Sequence, residues 1–163
     1  TERFAQILLQ VAGRAGRREL AGEVFIQSHY PQHPLLNRLV QQDYSEFASL
    51  ALAERRASGW PPYAHLILWR AEATRREPAH GFLDQVAAAA RGSGAGSPAG
   101  VNVLGPAPPG MERRGGRYRA QLLFQSSRRS ALRELMSVLV PKVRSWPAAR
   151  RVRWSVDVDP IEA

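Results

Sequence analysis

Residues 117–125, Arg117-Tyr118-Arg119-Ala120-Gln121-Leu122-Leu123-Phe124-Gln125, decide the fold. Successive side chains of a strand point to opposite faces. Tyr118, Ala120, Leu122 and Phe124 therefore share one face, and Arg117, Arg119 and Gln121 share the other. One face is written for a core and one for solvent or a ligand. Working outward, residues 64–73 read as a second strand, with Ile67, Trp69 and Ala71 alternating against Leu66, Leu68 and Arg70. Between the two lie a helix over 77–91 carrying Phe82, Leu83, Val86 and Ala90, and a flexible Gly/Ser/Pro loop over 92–100. A short strand follows over 101–104, closed by Gly105-Pro106, and then a basic loop over 108–116. Beyond residue 125, Ser126 or Ser127 is placed to cap a helix running to Arg144, with Leu132, Leu135, Met136, Leu139 and Val143 as its core stripe. Residues 152–158 read as the last strand.

The order is β-α-β-β-α-β over about 95 residues, the split βαβ, ferredoxin-like α+β arrangement: a sheet with both helices on one face. The open face of such a sheet is a common binding surface, although the fold alone does not name the ligand.

The preceding residues have a different rhythm. Residues 2–14 read as a helix, with Phe4, Ile7, Leu8 and Val11 at helical spacing, ended by Gly13 and Gly16. Residues 23–27, Glu-Val-Phe-Ile-Gln, read as a short buried strand, and 35–39 and 44–56 as helices. Gly59-Trp60-Pro61-Pro62 is a hard stop. The boundary is expected near residues 45–60, giving an α/β chain with domains over 1–50 and 51–163.

Composition narrows the class. The chain has 163 residues, 44% of them hydrophobic, enough for one good core and part of a second. It opens on Thr1-Glu2-Arg3-Phe4, which reads as the middle of a helix, so a piece of a longer protein is expected. No stretch is apolar enough to span a bilayer, no signal peptide precedes the fold, and no membrane partner is expected. The chain has no cysteine, hence no disulfide and no thiolate metal site, which fits a cytoplasmic protein. The net charge is +9, and residues 110–163 carry twelve basic against five acidic side chains. A localised basic surface is the footprint of nucleic-acid binding or of an acidic peptide site.

Two constellations carry chemistry. The first is Gln10-Val11-Ala12-Gly13-Arg14-Ala15-Gly16-Arg17, two arginines spaced by glycines after an apolar helix and before an apolar strand, the context of a RecA-like motor lobe. Arginine is always charged and presents a rigid donor fork, suited to charge developing on a transferring phosphate. The second is Arg113, Arg114, Arg117 and Arg119 around Tyr118, a set of phosphate clamps. No metal site is expected: His29 and His33 are separated by Pro31, and Asp157 and Asp159 read as a structural pair for arginines such as Arg151 or Arg153.

These motifs resemble a family. Q-x-x-G-R-x-G-R is similar to the sixth motif of superfamily 2 helicases. Residues 22–27, Pro31-x-His33-Pro34, Glu54-Arg55-Arg56, Gly59-Trp60-Pro61-Pro62-Tyr63, Val103-Leu104-Gly105-Pro106, residues 114–119 and residues 154–160 resemble, in order, the C-terminal part of the primosomal helicase family, primosomal protein N′. The resemblance implies a longer, ATP- and Mg-dependent 3′-to-5′ DNA helicase that binds stalled replication forks in the bacterial cytoplasm and loads the replicative helicase. It implies catalytic roles for Arg17, as arginine finger, and Arg14, and nucleotide-binding roles for Gln10 and Gly13. It implies that the domain around Arg113, Arg114, Arg117 and Arg119 has a ribosomal-protein-like fold and binds branched and single-stranded DNA. Arg129 and Arg133 stand where the family binds the acidic C-terminal tail of the single-strand DNA-binding protein, SSB, with Arg133 replacing the family's Gln. Other primosome proteins and the helicase loader are further implied partners. The family's Walker motifs and zinc-binding cysteines are not in this sequence, so no ATP hydrolysis and no bound cofactor are expected of the piece alone. Two alternatives stand beside this reading: a free-standing basic binding module, and an acylphosphatase-like enzyme, whose anion-cradling loop residues 72–78 do not provide.

Overall fold

The computed structural model describes residues 2–15, 23–41, 44–92 and 100–161, which form two compact units, 1–54 and 55–163. In the first unit lie helix α1 (Glu2–Ala12), helix α2 (Pro34–Val40) and most of helix α3 (Tyr44–Ala57). Its core is small: Ala5, Leu35, Leu39 and Phe47 are buried, with Leu8, Leu50 and Ala51 packed against them. Ile7 and Val11, expected on the apolar stripe of α1, stay about half-exposed. His33 has a structural role, since its Nδ1 accepts the Leu35 N–H at 3.3 Å and so caps α2.

The expected strand over 23–27 does not form; residues 23–28 carry no regular structure, and Phe25 is 90% exposed. The physical reason is that a strand needs a ladder partner to satisfy its backbone groups. Among the described residues of this unit there is no other strand.

The second unit is a mixed α/β layer structure. Its strands are β1 (His65–Ala73), β2 (Asn102–Ala107), β3 (Arg113–Arg114), β4 (Arg117–Ser126) and β5 (Arg153–Val158). They form one antiparallel sheet in the order β2-β4-β1-β5, with the short β3 paired to β4. Helices α4 (Arg76–Arg91) and α5 (Arg129–Arg144) pack on β1 and β4 and on each other, so they cover one face. Ile67, Trp69 and Ala71 of β1 and Ala120, Leu122 and Phe124 of β4 meet Phe82, Leu83 and Val86 of α4 and Leu132, Leu135 and Leu139 of α5. Burying one such large side chain contributes about 1.5–3 kcal/mol. The central Trp69 is fully buried; its ring stacks on Trp154 (centroids 5.3 Å apart, planes 5° from parallel), and its N–H donates to Met136 Sδ at 3.3 Å.

Three boundaries differ from the sequence reading. β2 runs past Leu104 to Ala107, with an irregularity where the register shifts. The basic loop over 108–116 contains β3, which closes a hairpin onto β4. Neither serine caps α5 directly: its N-cap is Arg128, and Ser126 Oγ instead accepts the Arg128 N–H at 3.1 Å.

On the uncovered face Leu66 and Leu68 are nonetheless buried. Gln125 shows how one end of that face is closed. Its Nε2 donates to the carbonyls of Ser58 (3.2 Å) and Gly59 (2.6 Å), drawing the segment after α3 across the sheet. Gly59 permits this course, since its φ is +64°.

Candidate nucleic-acid interface

The β3–β4 hairpin is built on Arg113-Arg114-Gly115-Gly116-Arg117-Tyr118. Gly115 and Gly116 have φ of +57° and +74°, the two consecutive positive values of a tight two-residue hairpin turn. Pairing fixes which way each arginine faces. Arg113 lies opposite Tyr118 and Arg114 opposite Arg117, and directly opposed residues share a face. Arg113 therefore goes with Tyr118 to the helix-covered side, where its guanidinium lies 5.2 Å from the ring centroid. Arg114, Arg117 and Arg119 go together to the uncovered side. The four predicted phosphate clamps are thus divided one to three. Tyr118 is half-buried, with a cation on its ring.

The uncovered face extends this group. Cross-strand register places Glu72 of β1 between Arg119 of β4 and Arg153 of β5. Arg119 Nε is 3.4 Å from Glu72 Oε1. One row further, Arg70 Nη1 pairs with Asp157 Oδ2 at 2.7 Å. Five arginines and two carboxylates occupy this face, and no aromatic side chain of the strands points to it. The arginine end is anchored through Glu112: its carbonyl accepts the Arg119 N–H at 2.8 Å, and its Oε1 lies 2.6 Å from Arg76 Nε of α4.

Arg129 and Arg133 are one turn apart on α5, both exposed. Arg129 is paired: its Nη2 is 2.6 Å from Asp159 Oδ2. This corrects the expected partners of the two aspartates. Asp157 and Asp159 bind Arg70 and Arg129, not Arg151 or Arg153, because β5 lies beside β1 and ends near the start of α5. The two arginine groups stand at opposite ends of β4, whose ten residues span about 30 Å.

Of the glycine–arginine motif, Gln10, Gly13 and Arg14 lie at the C-terminal end of α1, all exposed. The Gly13 N–H donates to Leu9 O at 2.9 Å and the Arg14 N–H to Val11 O at 3.1 Å. Gly16 and Arg17 lie outside the described residues.

Comparison with known proteins gives this surface a context. The family profile described as primosomal protein N C-terminal domain matches residues 56–161. The chain belongs to this family. The whole chain is also similar to proteins named replication restart protein PriA: 39% identical in Haemophilus influenzae, 34% in Synechocystis and 30% in Bacillus subtilis, each over 98% of this chain. It spans 21%, 18% and 19% of those relatives, about a fifth of their length.

In this member of the primosomal family, sequence reasoning missed Glu72, Arg70 and Arg153 as parts of the arginine face. They come from strands far from the hairpin in sequence, and only the pairing of β1 with both β4 and β5 brings them beside it. The signal was present in the alternation of β1, which puts Arg70 and Glu72 on the side away from Trp69.

Proposed function

We propose that the chain is the C-terminal part of a primosomal replication-restart helicase. In the longer protein it holds branched and single-stranded DNA through the hairpin arginines and receives the acidic tail of SSB at Arg129 and Arg133. The observation that carries this is the β3–β4 hairpin: three like-charged side chains, Arg114, Arg117 and Arg119, held on one uncovered face of a domain that matches the primosomal family. Like charges opposed across a strand pair are unfavourable unless an anion lies between them. Strand order β2-β4-β1-β5 with both helices on one face supports reading this domain as ferredoxin-like. The exposed Gly13 and Arg14 at the end of α1 support reading residues 1–50 as the end of a RecA-like motor lobe, with Arg14 and Arg17 facing the phosphates of ATP-Mg held elsewhere in the longer protein. Its place is the bacterial cytoplasm at replication forks, with the other primosome proteins and the helicase loader as partners.

The test is direct titration of the chain with a fluorescent forked DNA and, separately, with an acidic SSB-tail peptide. Binding of the fork is expected to weaken steeply with salt. Arg114→Ala with Arg117→Ala is expected to weaken fork binding and spare the peptide; Arg129→Ala is expected to do the reverse. Fork affinity indifferent to salt and to the hairpin arginines would overturn the DNA reading. In the longer enzyme, Arg17→Ala is expected to abolish DNA-stimulated ATP hydrolysis while ATP still binds.

A further inference from the structure

The geometry points to a wider phosphate-binding surface than the hairpin, in which Arg153 of β5 is a contact residue and Glu72 is the internal counter-charge that moderates affinity. The inference rests on the DNA-binding reading of the hairpin. Its ground is the register of three strands. Arg119, Glu72 and Arg153 stand side by side on β4, β1 and β5. Arg119 and Arg153 are thus two strand spacings apart, about 10 Å. Glu72 pairs with Arg119, on its β4 side, at 3.4 Å. Arg153, on its other side, is exposed and has no ion pair among the described residues. Arg114 and Arg117 continue the cluster past the end of β1, and they too have no ion pair among the described residues. Arg119 and Arg153 therefore flank one carboxylate, with Arg117 and Arg114 further along at the same end of the uncovered face.

The chemistry that fits is a phosphodiester backbone of a nucleic acid. Guanidinium groups clamp phosphate oxygens with two parallel donors. No aromatic side chain of the strands lies on this face to stack a base, so the surface reads charge and not sequence. Glu72 offsets the repulsion between Arg119 and Arg153 within the sheet, and the same charge faces any anion the two arginines hold. Its charge therefore repels a phosphate held by either neighbouring arginine.

The experiment is a salt titration of Kd for a mixed-sequence duplex oligonucleotide, with the wild-type chain, Arg153→Ala, Arg153→Lys and Glu72→Gln. Arg153→Ala is expected to reduce the slope of log affinity against log salt by about 0.9, the value of one phosphate contact, and Arg153→Lys to restore it. Glu72→Gln is expected to tighten binding about two- to threefold, the effect of one unit charge acting over roughly 8 Å in a water-like dielectric. Glu72→Gln keeps the size of the side chain, so this arm does not depend on whether Arg153→Ala alters folding. If Arg114→Ala and Arg117→Ala weaken binding while Arg153→Ala and Glu72→Gln leave slope and affinity unchanged, the inference falls and the hairpin reading stands. If the wild-type chain binds neither the duplex nor a forked DNA at low salt, both fall.

Discussion

Arg129 at the start of α5 and Asp159 just past β5 form an ion pair of 2.6 Å across 30 residues of sequence. Asp159 is also held by its backbone: its N–H donates to Leu66 O at 2.9 Å, and its Oδ1 lies 3.4 Å from the Leu66 N–H. It sits at φ +49°. The carboxylate is thus fixed at an arginine that the functional reading assigns to an acidic peptide, and any incoming carboxylate competes with it.

Asp159→Asn separates these roles. Asn accepts the left-handed backbone and keeps an oxygen for the Leu66 N–H, so only the charge is removed. An ion pair this exposed contributes at most about 1 kcal/mol. The expected outcome is a melting temperature close to wild type and severalfold tighter binding of an acidic tail peptide by calorimetry. Weaker binding would mean that Asp159 orients Arg129 for the peptide and does not compete with it.

Gln125 tests the closure of the uncovered face. It is only 8% exposed, donates to Ser58 O and Gly59 O, and accepts from Asn102 Nδ2 at 3.3 Å. Gln125→Leu keeps the bulk and removes every polar contact, leaving the Gly59 carbonyl without this donor. The expected loss is about 1–2 kcal/mol in urea unfolding, since the amide bonds are lost while the half-buried Gly59 carbonyl and the exposed Ser58 carbonyl stay partly hydrated. A loss below about 0.5 kcal/mol would mean that water replaces the amide.

How far the sequence reached follows from which interactions are local. β1 and β4 were legible because Trp69 and Ala71, and Ala120 and Leu122, recur at a period of two with Arg70 and Gln121 between them, and that period has one reading where one face is buried. The two long helices were legible for the same reason at their own period. Residues 23–27 have the same apolar composition, but strand character is a property of the pair, and no partner strand lies among the described residues of their unit. The hairpin arginines were found as a cluster, yet their division between two faces depends on the turn at Gly115 and Gly116, which sets the register of Arg114 against Arg117. Arg153 and Glu72 were not found as a site at all. Their meeting is fixed by strand order, a long-range fact that no local pattern contains.

Gly105 and Gly110 make a matched pair. Gly105 has φ +104°, and a Cβ there would stand 3.1 Å from both Ala107 N and Gln121 O, which are backbone atoms and cannot swing away. Nothing lies within 4 Å of a Cβ at Gly110. Gly105→Ala is expected to lower stability by more than about 1 kcal/mol, from a disfavoured φ and the displacement of β2 against β4. Gly110→Ala is expected to be neutral or slightly stabilising. Thermal melts of the two proteins check this, and equal melting temperatures would show that β2 shifts freely at its register irregularity.

Arg114 opposite Arg117 is a place where stability and function are expected to have opposite signs. Both are on the uncovered face, next to a two-glycine turn, with no ion pair among the described residues. Directly opposed like charges cost a few tenths of a kcal/mol in a strand pair. Arg114→Gln removes the repulsion and keeps a polar, hydrogen-bonding tip on a shorter side chain. The hairpin should therefore become more stable, by ~0.5 kcal/mol at low salt, with the gain fading as salt screens the pair. The same substitution should weaken binding of a forked DNA and reduce its salt slope by about 0.9. A chain that gains stability and loses DNA affinity has kept an unfavourable contact for its ligand. A chain that gains stability with DNA binding unchanged has only a solvated arginine there, and the phosphate clamp would then rest on Arg117 and Arg119 alone.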